Sequence, residues 1–427
     1  MAVAGRQARH EFAQRRTALG FTQESLAALL RLERSTVVRW EAGKSRPRAG
    51  LWPKIAAALE VAPEQLAVLL DGGPADVENN ALPRQSALTT YVRGSASSDD
   101  LDDRDVSQLR RVIMGCIPDT APGTPVRISD AVARAWELFF SAQLGEMERM
   151  LPVALAGAYN AAGAAAGESR RQIFVSLAQL LHAASNLLGY VGQEDLAAMA
   201  LLRADALAAD SGDELTQAAI KGSHSWLLAK HGMFDDAAGY AENAAAAIEP
   251  RLSTASPRHI AIWGELLCYA AFAASRTGDF REARRYLRLC ESAGTQLDDT
   301  YADRPEISNV FGPTSAASFG VINETGADRP REALKLATLV SGGGTGIPPT
   351  LRSRRLINIA QAQLHNRDDA EAVDTLRRAY AMAPEFVRHI PLAHTVTDEL
   401  LARRGAQRLT GLVGIAERLG ISVGNRS

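Results

Sequence analysis

The chain has 427 residues, 46% apolar and 22% charged, with a formal net charge of −2 at pH 7; it is too long for one ordinary domain and apolar enough to bury more than one core. Cys116, Cys268 and Cys290 stand without a CxxC pair or a nearby His, which excludes a disulfide framework and a zinc knuckle and predicts three small buried hydrophobes. The N-terminus carries no long apolar h-region, no run reaches the length of a membrane span, and the Ala/Gly-rich stretch from Val153 to Gly167 reads as a packed or flexible loop-to-helix segment, so the expectation is a soluble cytoplasmic protein without a membrane partner.

Residues 1 to 8 read as a lead-in. Arg9 to Leu19 has the pattern of a first helix with Phe12 and Leu19 as core contacts. Thr22 to Gly43, TQESLAALLRLERSTVVRWEAG, has the length and pattern of a helix-turn-helix. Thr22 is a good N-cap, Glu24 brings negative charge to the first turn, and Leu26, Leu29 and Leu30 are expected on one inward face. After Arg31-Leu32 a second helix is expected over about 34 to 42, with Val37, Trp40 and Glu41 facing back and Arg34, Ser35, Val38 and Arg39 facing out. The major groove of DNA admits one helix, and side chains of its first two turns reach the base edges. Arg34 and Arg39 are the candidates for guanine O6 and N7; Ser35 and Thr36 suit base edges or phosphate. Gln23 is placed for the backbone or for adenine, and Lys44 and Arg46 suit phosphate contacts. A helix from about Trp52 to Leu59 follows, then Pro63 opens a short last helix ending near Leu70.

Phe21-Thr22-Gln23-Glu24, Leu26-Ala27, Arg34 to Val37, Arg39-Trp40-Glu41, Gly43, Pro47 and Ala56 to Leu59 together resemble the XRE (Cro and phage-repressor-like) DNA-binding family over roughly Arg9 to Leu70. The resemblance implies a five-helix head that binds double-stranded DNA. Three positions depart from the family pattern: Arg31 stands where the turn usually has Gly, Glu33 replaces the usual Ser or Thr cap, and Pro53 sits where the fourth helix would already be running. Charge agrees with a DNA-binding head. Residues 1–70 hold eleven Lys/Arg against six Asp/Glu, a balance of +5, while the remainder carries −7; the near-zero total conceals this. Lys occurs five times against 42 Arg, which reads as a GC-rich coding bias.

From Asp71 the character changes. Gly72, Gly73, Pro74, Asn79, Asn80 and Pro83 break any period and Ser95 to Asp103 is polar and acidic, so residues 71–104 are expected as a flexible linker. From Asp105 to the end, strand signals almost vanish and helical periods recur. The clearest copies turn at Gly192-Gln193-Glu194, Gly232-Met233-Phe234 and Gly278-Asp279-Phe280, followed by Ala197, Ala237 and Ala283. Weaker copies end at Ala333 and Ala372, and a degenerate one surrounds Gly145-Glu146-Met147. Long connections are expected at Glu249 to Pro257 and Ser341 to Pro349, and Pro384 should end the last of these helices.

The Gly, aromatic and Ala positions at Gly232, Phe234, Ala237 and at Gly278, Phe280, Ala283 resemble the tetratricopeptide (TPR) family. The resemblance implies an α-solenoid of five or six helical hairpins over residues 105–427, with a concave face that takes a peptide, a small molecule or a protein. The family's concave offsets fall on Gln179, His182, Asn186, Tyr190, Trp226, Lys230, Glu265, Arg276, Ser318, Arg354 and Gln361. The same positions are equally suited to a solvated groove without a ligand. The combination of head and body also resembles a large bacterial group of XRE heads fused to TPR-like bodies, including Phe311-Gly312-Pro313-Thr314 and the Arg-rich Leu400 to Arg404.

Catalytic motifs are missing: there is no GxxxxGK[ST], HExxH or GxSxG. Ser341 to Gly346 is Gly-rich but lacks the Lys and strand of a phosphate loop, and His389 and His394 straddle Pro391, which predicts capped or solvent-facing imidazoles. Asp235-Asp236 and Asp368-Asp369 read as helix caps at the repeat turns. No enzyme, metal or cofactor is expected. The all-α chain reads as a homodimeric, nucleoid-associated bacterial transcription regulator; the alternative is a TPR docking scaffold held on DNA by a weakly specific head.

Overall fold

The computed structural model describes residues 12, 15–16, 21, 23–30, 32, 34–41, 47, 51–59, 61, 66, 70, 103–297, 310–341 and 347–422. Its regular structure is entirely helical among those residues. Two compact units divide the chain, residues 1–81 and 82–427.

The first unit holds α1 (Gln23–Leu29), α2 (Arg34–Glu41) and α3 (Trp52–Ala58), with further helical residues at 12, 15–16, 66 and 70. Phe12, Leu26, Ala27, Leu30, Val37, Trp40, Ile55, Leu59, Leu66 and Leu70 form one buried core. Leu29 departs from the expected inward face: it is 57% exposed while Ala27 is 2% exposed. The buried stripe of α1 is centred on Leu30, between Leu26 and Ala27, which puts Leu29 beyond its edge. Pro53 sits in the first turn of α3 and Leu51 at its N-cap, a place where the missing N–H costs nothing. Leu19, Thr22, Arg31, Glu33 and Pro63 lie outside the described residues.

The second unit begins with α4 (Asp103–Ile113), two residues inside the stretch expected as linker; residues 71–102 lie outside the described ones. Six hairpins follow: α5 (Pro125–Phe140) with α6 (Leu144–Ala164), α7 (Gly167–Tyr190) with α8 (Glu194–Ser211), α9 (Glu214–Lys230) with α10 (Phe234–Ala247), α11 (Pro257–Arg276) with α12 (Phe280–Gly294), α13 (Ser315–Gly326) with α14 (Pro330–Ser341), and α15 (Pro349–Asn366) with α16 (Asp369–Met382). The short α17 (Pro384–Val387), then α18 (Pro391–Leu401) and α19 (Leu412–Arg418), complete it.

Each hairpin turns on one residue of positive φ: Ala142, Gly192, Gly232, Gly278, Asp328 and Arg367. The fifth residue after it is fully buried in every case, as Met147, Ala197, Ala237, Ala283, Ala333 and Ala372. The left-handed turn and the close helix approach therefore recur together. At Gly192, Gly232 and Gly278 an added Cβ would meet nothing, so the backbone angle alone favours glycine there. The degenerate copy was expected around Gly145; Gly145 instead lies inside α6, and Ala142 takes the turn three residues earlier. Asp235 and Asp236 stand in the first turn of α10, whose N-cap is Met233 with no side-chain cap bond, so they act on the helix dipole rather than as caps.

Helix α7 is long and apolar enough to cross a membrane, contrary to the expectation that no run reaches that length, and 67% of its apolar window is buried inside the unit. It is the core helix around which α5, α6 and α8 pack. Val153 to Ala164 belongs to α6. Cys116 is exposed, against the expectation of a buried thiol, whereas Cys268 and Cys290 are buried with their Sγ atoms 2.7 Å apart.

The two ends of the hairpin series meet. Gly145 N donates to Glu385 Oε2 at 3.1 Å across 240 residues of sequence, Thr350 Oγ1 donates to Phe140 O at 3.3 Å, and the Phe386 ring lies 4.6 Å from Tyr190 and 6.4 Å from Phe139 between centroids. The concave side is thus enclosed by the last hairpin and α17 instead of running as an open trough.

Candidate nucleic-acid interface and ligand cavities

In the first unit, α2 is held by its inward residues. Val37 and Trp40 are 0% and 2% exposed. Glu41 accepts from Arg16 Nε at 2.6 Å and from Gln23 Nε2 at 2.6 Å. Arg16 and Glu41 side chains are each 11% exposed, so this pair is largely desolvated and ties the helical segment at 15–16 to α2, while the Gln23 bond joins α1 to α2. Gln23 is expected at DNA; one N–H of its amide is instead engaged by Glu41.

Arg34 and Val38 are exposed on the opposite side of α2, and Thr36 is half-buried. Ser35 and Arg39 lie on α2 with side chains outside the described ones, and Lys44 and Arg46 lie outside the described residues altogether. An exposed Arg at the first turn of a helix whose back is locked into a core is the arrangement that base-edge contact requires.

The second unit contains two adjoining cavities. The first, of about 530 Å3 and open to solvent, is lined by Asn186, Tyr190, Trp226, Lys230, Arg354 and His389 with their neighbours. Five of the expected groove residues are therefore brought together from α7, α9 and α15. The guanidinium carbon of Arg354 lies 4.5 Å from the Trp226 ring centroid and 5.4 Å from that of Tyr190. Asn186 Nδ2 donates to His182 O at 3.1 Å. Lys230 donates to Gly189 O and pairs with Glu194 at 2.8 Å; burial lowers its pKa, against the Glu194 carboxylate that raises it. Its charge is already committed within the protein.

Arg276 lines neither cavity; its guanidinium covers the Phe272 ring at 4.8 Å. His182 and Gln179 are also not groove residues. His182 is 2% exposed, packed on Trp136 at 5.1 Å with its Nε2 2.6 Å from Ser223 Oγ. Burial drives its pKa down to about 3, so the imidazole is neutral. His389, expected as capped or solvent-facing, lines the first cavity instead, because α17 turns the chain back over α7. No sequence periodicity marks that return.

The second cavity, of about 660 Å3, shares Trp226 and Arg354 with the first and adds Glu265, Tyr269, Phe311, Ser318, Phe319 and Arg355 among others. Glu265 Oε1 accepts from the Tyr269 hydroxyl at 3.0 Å. Among the described residues no group of three His, Cys, Asp or Glu side chains could hold a metal ion.

Residues 12–66 match the helix-turn-helix family model HTH_3, so the first unit carries a helix-turn-helix domain. Solved structures similar to the chain include PlcR of Bacillus thuringiensis in complex with the peptide PapR7 and DNA, 12% identical, with 69% of this chain and 100% of that chain covered and a TM-score of 0.25. Comparison with curated protein sequences gives no match.

Proposed function

We propose that the protein is a DNA-binding transcriptional regulator in which α2 enters the major groove and the helical body carries dimerisation and signal sensing. The observation that carries this reading is the helix-turn-helix match over residues 12–66, on a segment where Val37, Trp40 and Glu41 anchor one side of α2 while Arg34 is exposed on the other. Arg34 and Arg39 read guanine, Ser35 and Thr36 reach base edges or phosphate, and Lys44 and Arg46 hold phosphates. Two heads on two half-sites supply the affinity that one small head lacks. The body's hairpins, with a left-handed turn residue five positions before a fully buried one, support a TPR-like reading, and the first cavity is the regulatory site for a peptide, small molecule or protein. The protein works on the nucleoid in the cytoplasm.

Footprinting of the purified protein on sheared host DNA tests this, repeated with the Arg34→Ala/Arg39→Ala double variant. A small set of sites with a repeated half-site, lost in the variant, is the expected result. Diffuse binding unchanged by the substitutions would leave the body as a docking scaffold and remove sequence-specific regulation.

A further inference from the structure

The second cavity contains a charge that no carboxylate among the described residues answers. Arg355 stands on α15, half-buried by surface area, at the wall of the cavity. Its Nη1 donates to Thr314 Oγ1 at 3.0 Å, a neutral hydroxyl. Among the described residues no carboxylate forms an ion pair with it. Glu265, on the same cavity wall, is engaged by the Tyr269 hydroxyl. Burial lowers the Arg355 pKa to about 10, opposed only by the neighbouring Cys268, so the guanidinium remains charged at neutral pH.

A partly buried guanidinium that meets only a neutral hydroxyl, with no carboxylate opposite it among the described residues, is poorly compensated. It is planar, with paired N–H donors, and matches a carboxylate in two parallel hydrogen bonds. Around it the cavity is largely apolar, with Trp226, Tyr269, Phe311, Phe319, Ile322 and Leu351 facing the space. Arg354 and Glu265 share the lining with Arg355, and such a mostly apolar concave site with a few placed polar and charged groups has the character of a small-molecule pocket. Arg354, stacked on Trp226, is the partition that both cavities share.

We infer that the second cavity binds a molecule carrying a carboxylate on an apolar or aromatic body, with the carboxylate on Arg355 and the body among Tyr269, Phe311 and Phe319. The carboxylate belongs either to a free small acid or to the C-terminus of a short apolar peptide. This binding is independent of the DNA-binding reading, since it is measured without DNA and can fail or succeed while the head still finds its sites.

The test is calorimetric titration of the full chain with octanoate, 3-phenylpropanoate and acetyl-Ala-Leu-Phe, each against its primary amide. At least one acid is expected to bind tenfold or more tighter than its amide. Arg355→Gln should reduce that preference to less than twofold while leaving amide binding unchanged, and Arg355→Lys should keep part of it. Because Gln removes an uncompensated charge, the unliganded Arg355→Gln protein should melt no lower than the parent, which a purely structural Arg355 would not allow. Tight binding of the free acids assigns the carboxylate to a small molecule, and binding of the peptide acid alone assigns it to a C-terminus. Equal affinity for acid and amide, an acid preference that survives Arg355→Gln, or no binding of any of the six probes overturns the inference.

Discussion

The guanidinium of Arg354 stacks on the indole of Trp226, 4.5 Å from the ring centroid, and so joins α15 to α9 across the interior of the hairpin series. This contact exists only because the ends of the series meet. A half-desolvated cation–aromatic pair contributes about 1 to 2 kcal/mol. A double-mutant cycle with Arg354→Met and Trp226→Leu should therefore give a coupling energy of about 1 kcal/mol in urea unfolding. Additive effects would show that the two side chains are merely adjacent.

The Arg16, Glu41 and Gln23 network fixes the angle between the two helices of the helix-turn-helix. Glu41→Ala leaves the largely buried Arg16 without its carboxylate, and breaking such a pair costs roughly 3 kcal/mol. Thermal unfolding should show the loss in the first unit, and binding to specific and random DNA should weaken together because α2 loses its seat. Arg34→Ala should behave differently. If Arg34 reads a base as proposed, it contributes about 1 to 3 kcal/mol of discrimination, so the substitution should weaken specific DNA far more than random DNA.

The helical architecture was legible because its signals are local. Glycine and small residues recur at hairpin turns, and Val37 and Trp40 fall on the inward side of α2 by helical period alone. Asn186, Tyr190, Trp226, Lys230 and Arg354, which line one cavity, are placed on the concave side by the TPR resemblance, whose first helices present equivalent faces in successive hairpins. Arg355 and His389 were not legible. Arg355 differs from Arg354 by one position, and only the packing of Phe311 and Thr314 decides that it too meets a cavity. His389 reaches the first cavity through the closure of the two ends, a long-range contact that no repeat pattern encodes. Ala142, Asp328 and Arg367 mark their turns more faintly for a related reason: non-glycine residues tolerate the left-handed backbone at about 1 kcal/mol, so only the weaker copies ending at Ala333 and Ala372 and the degenerate one near Gly145 signal them.

His182 makes the body sensitive to mild acid. Its pKa falls from 6.5 to about 3 on burial, so between these values the unfolded chain binds a proton that the folded chain does not, and stability drops as pH falls below 6.5. His224 shifts in the same direction through burial. Going from pH 7 to pH 5 should cost about 2 kcal/mol through His182 alone. Urea midpoints for the parent and His182→Gln should converge as pH falls; parallel curves would place the acid sensitivity elsewhere.

The three thiols should separate cleanly by reactivity. Cys116 is exposed, while Cys268 and Cys290 are buried side by side and burial raises the Cys268 pKa well above the ordinary thiol value. Iodoacetamide at neutral pH should label Cys116 alone in the folded protein, and the other two only in denaturant, because the thiolate is the nucleophile and burial suppresses it. Labelling of Cys268 at the rate of Cys116 would mean that the second cavity opens widely in solution.

Phe311 is seated by a glycine. Phe311 is 1% exposed, and a Cβ built on Gly264 would stand 2.4 Å from its Cζ and 2.7 and 2.8 Å from its two Cε atoms. A rigid ring cannot yield at its tip, so Gly264→Ala must displace either Phe311 or helix α11, at about 1 to 3 kcal/mol. Since Gly264 is in mid-helix, where Ala is otherwise preferred by up to about 1 kcal/mol, the sign of the measured change is decisive: destabilisation means that the ring contact outweighs helix propensity. Phe311→Leu in the same chain removes the offending ring edge and should recover most of the loss, giving strongly non-additive melting temperatures. If Gly264→Ala instead stabilised the protein, Phe311 would have a second seat available, and the wall it forms in the second cavity would be adjustable.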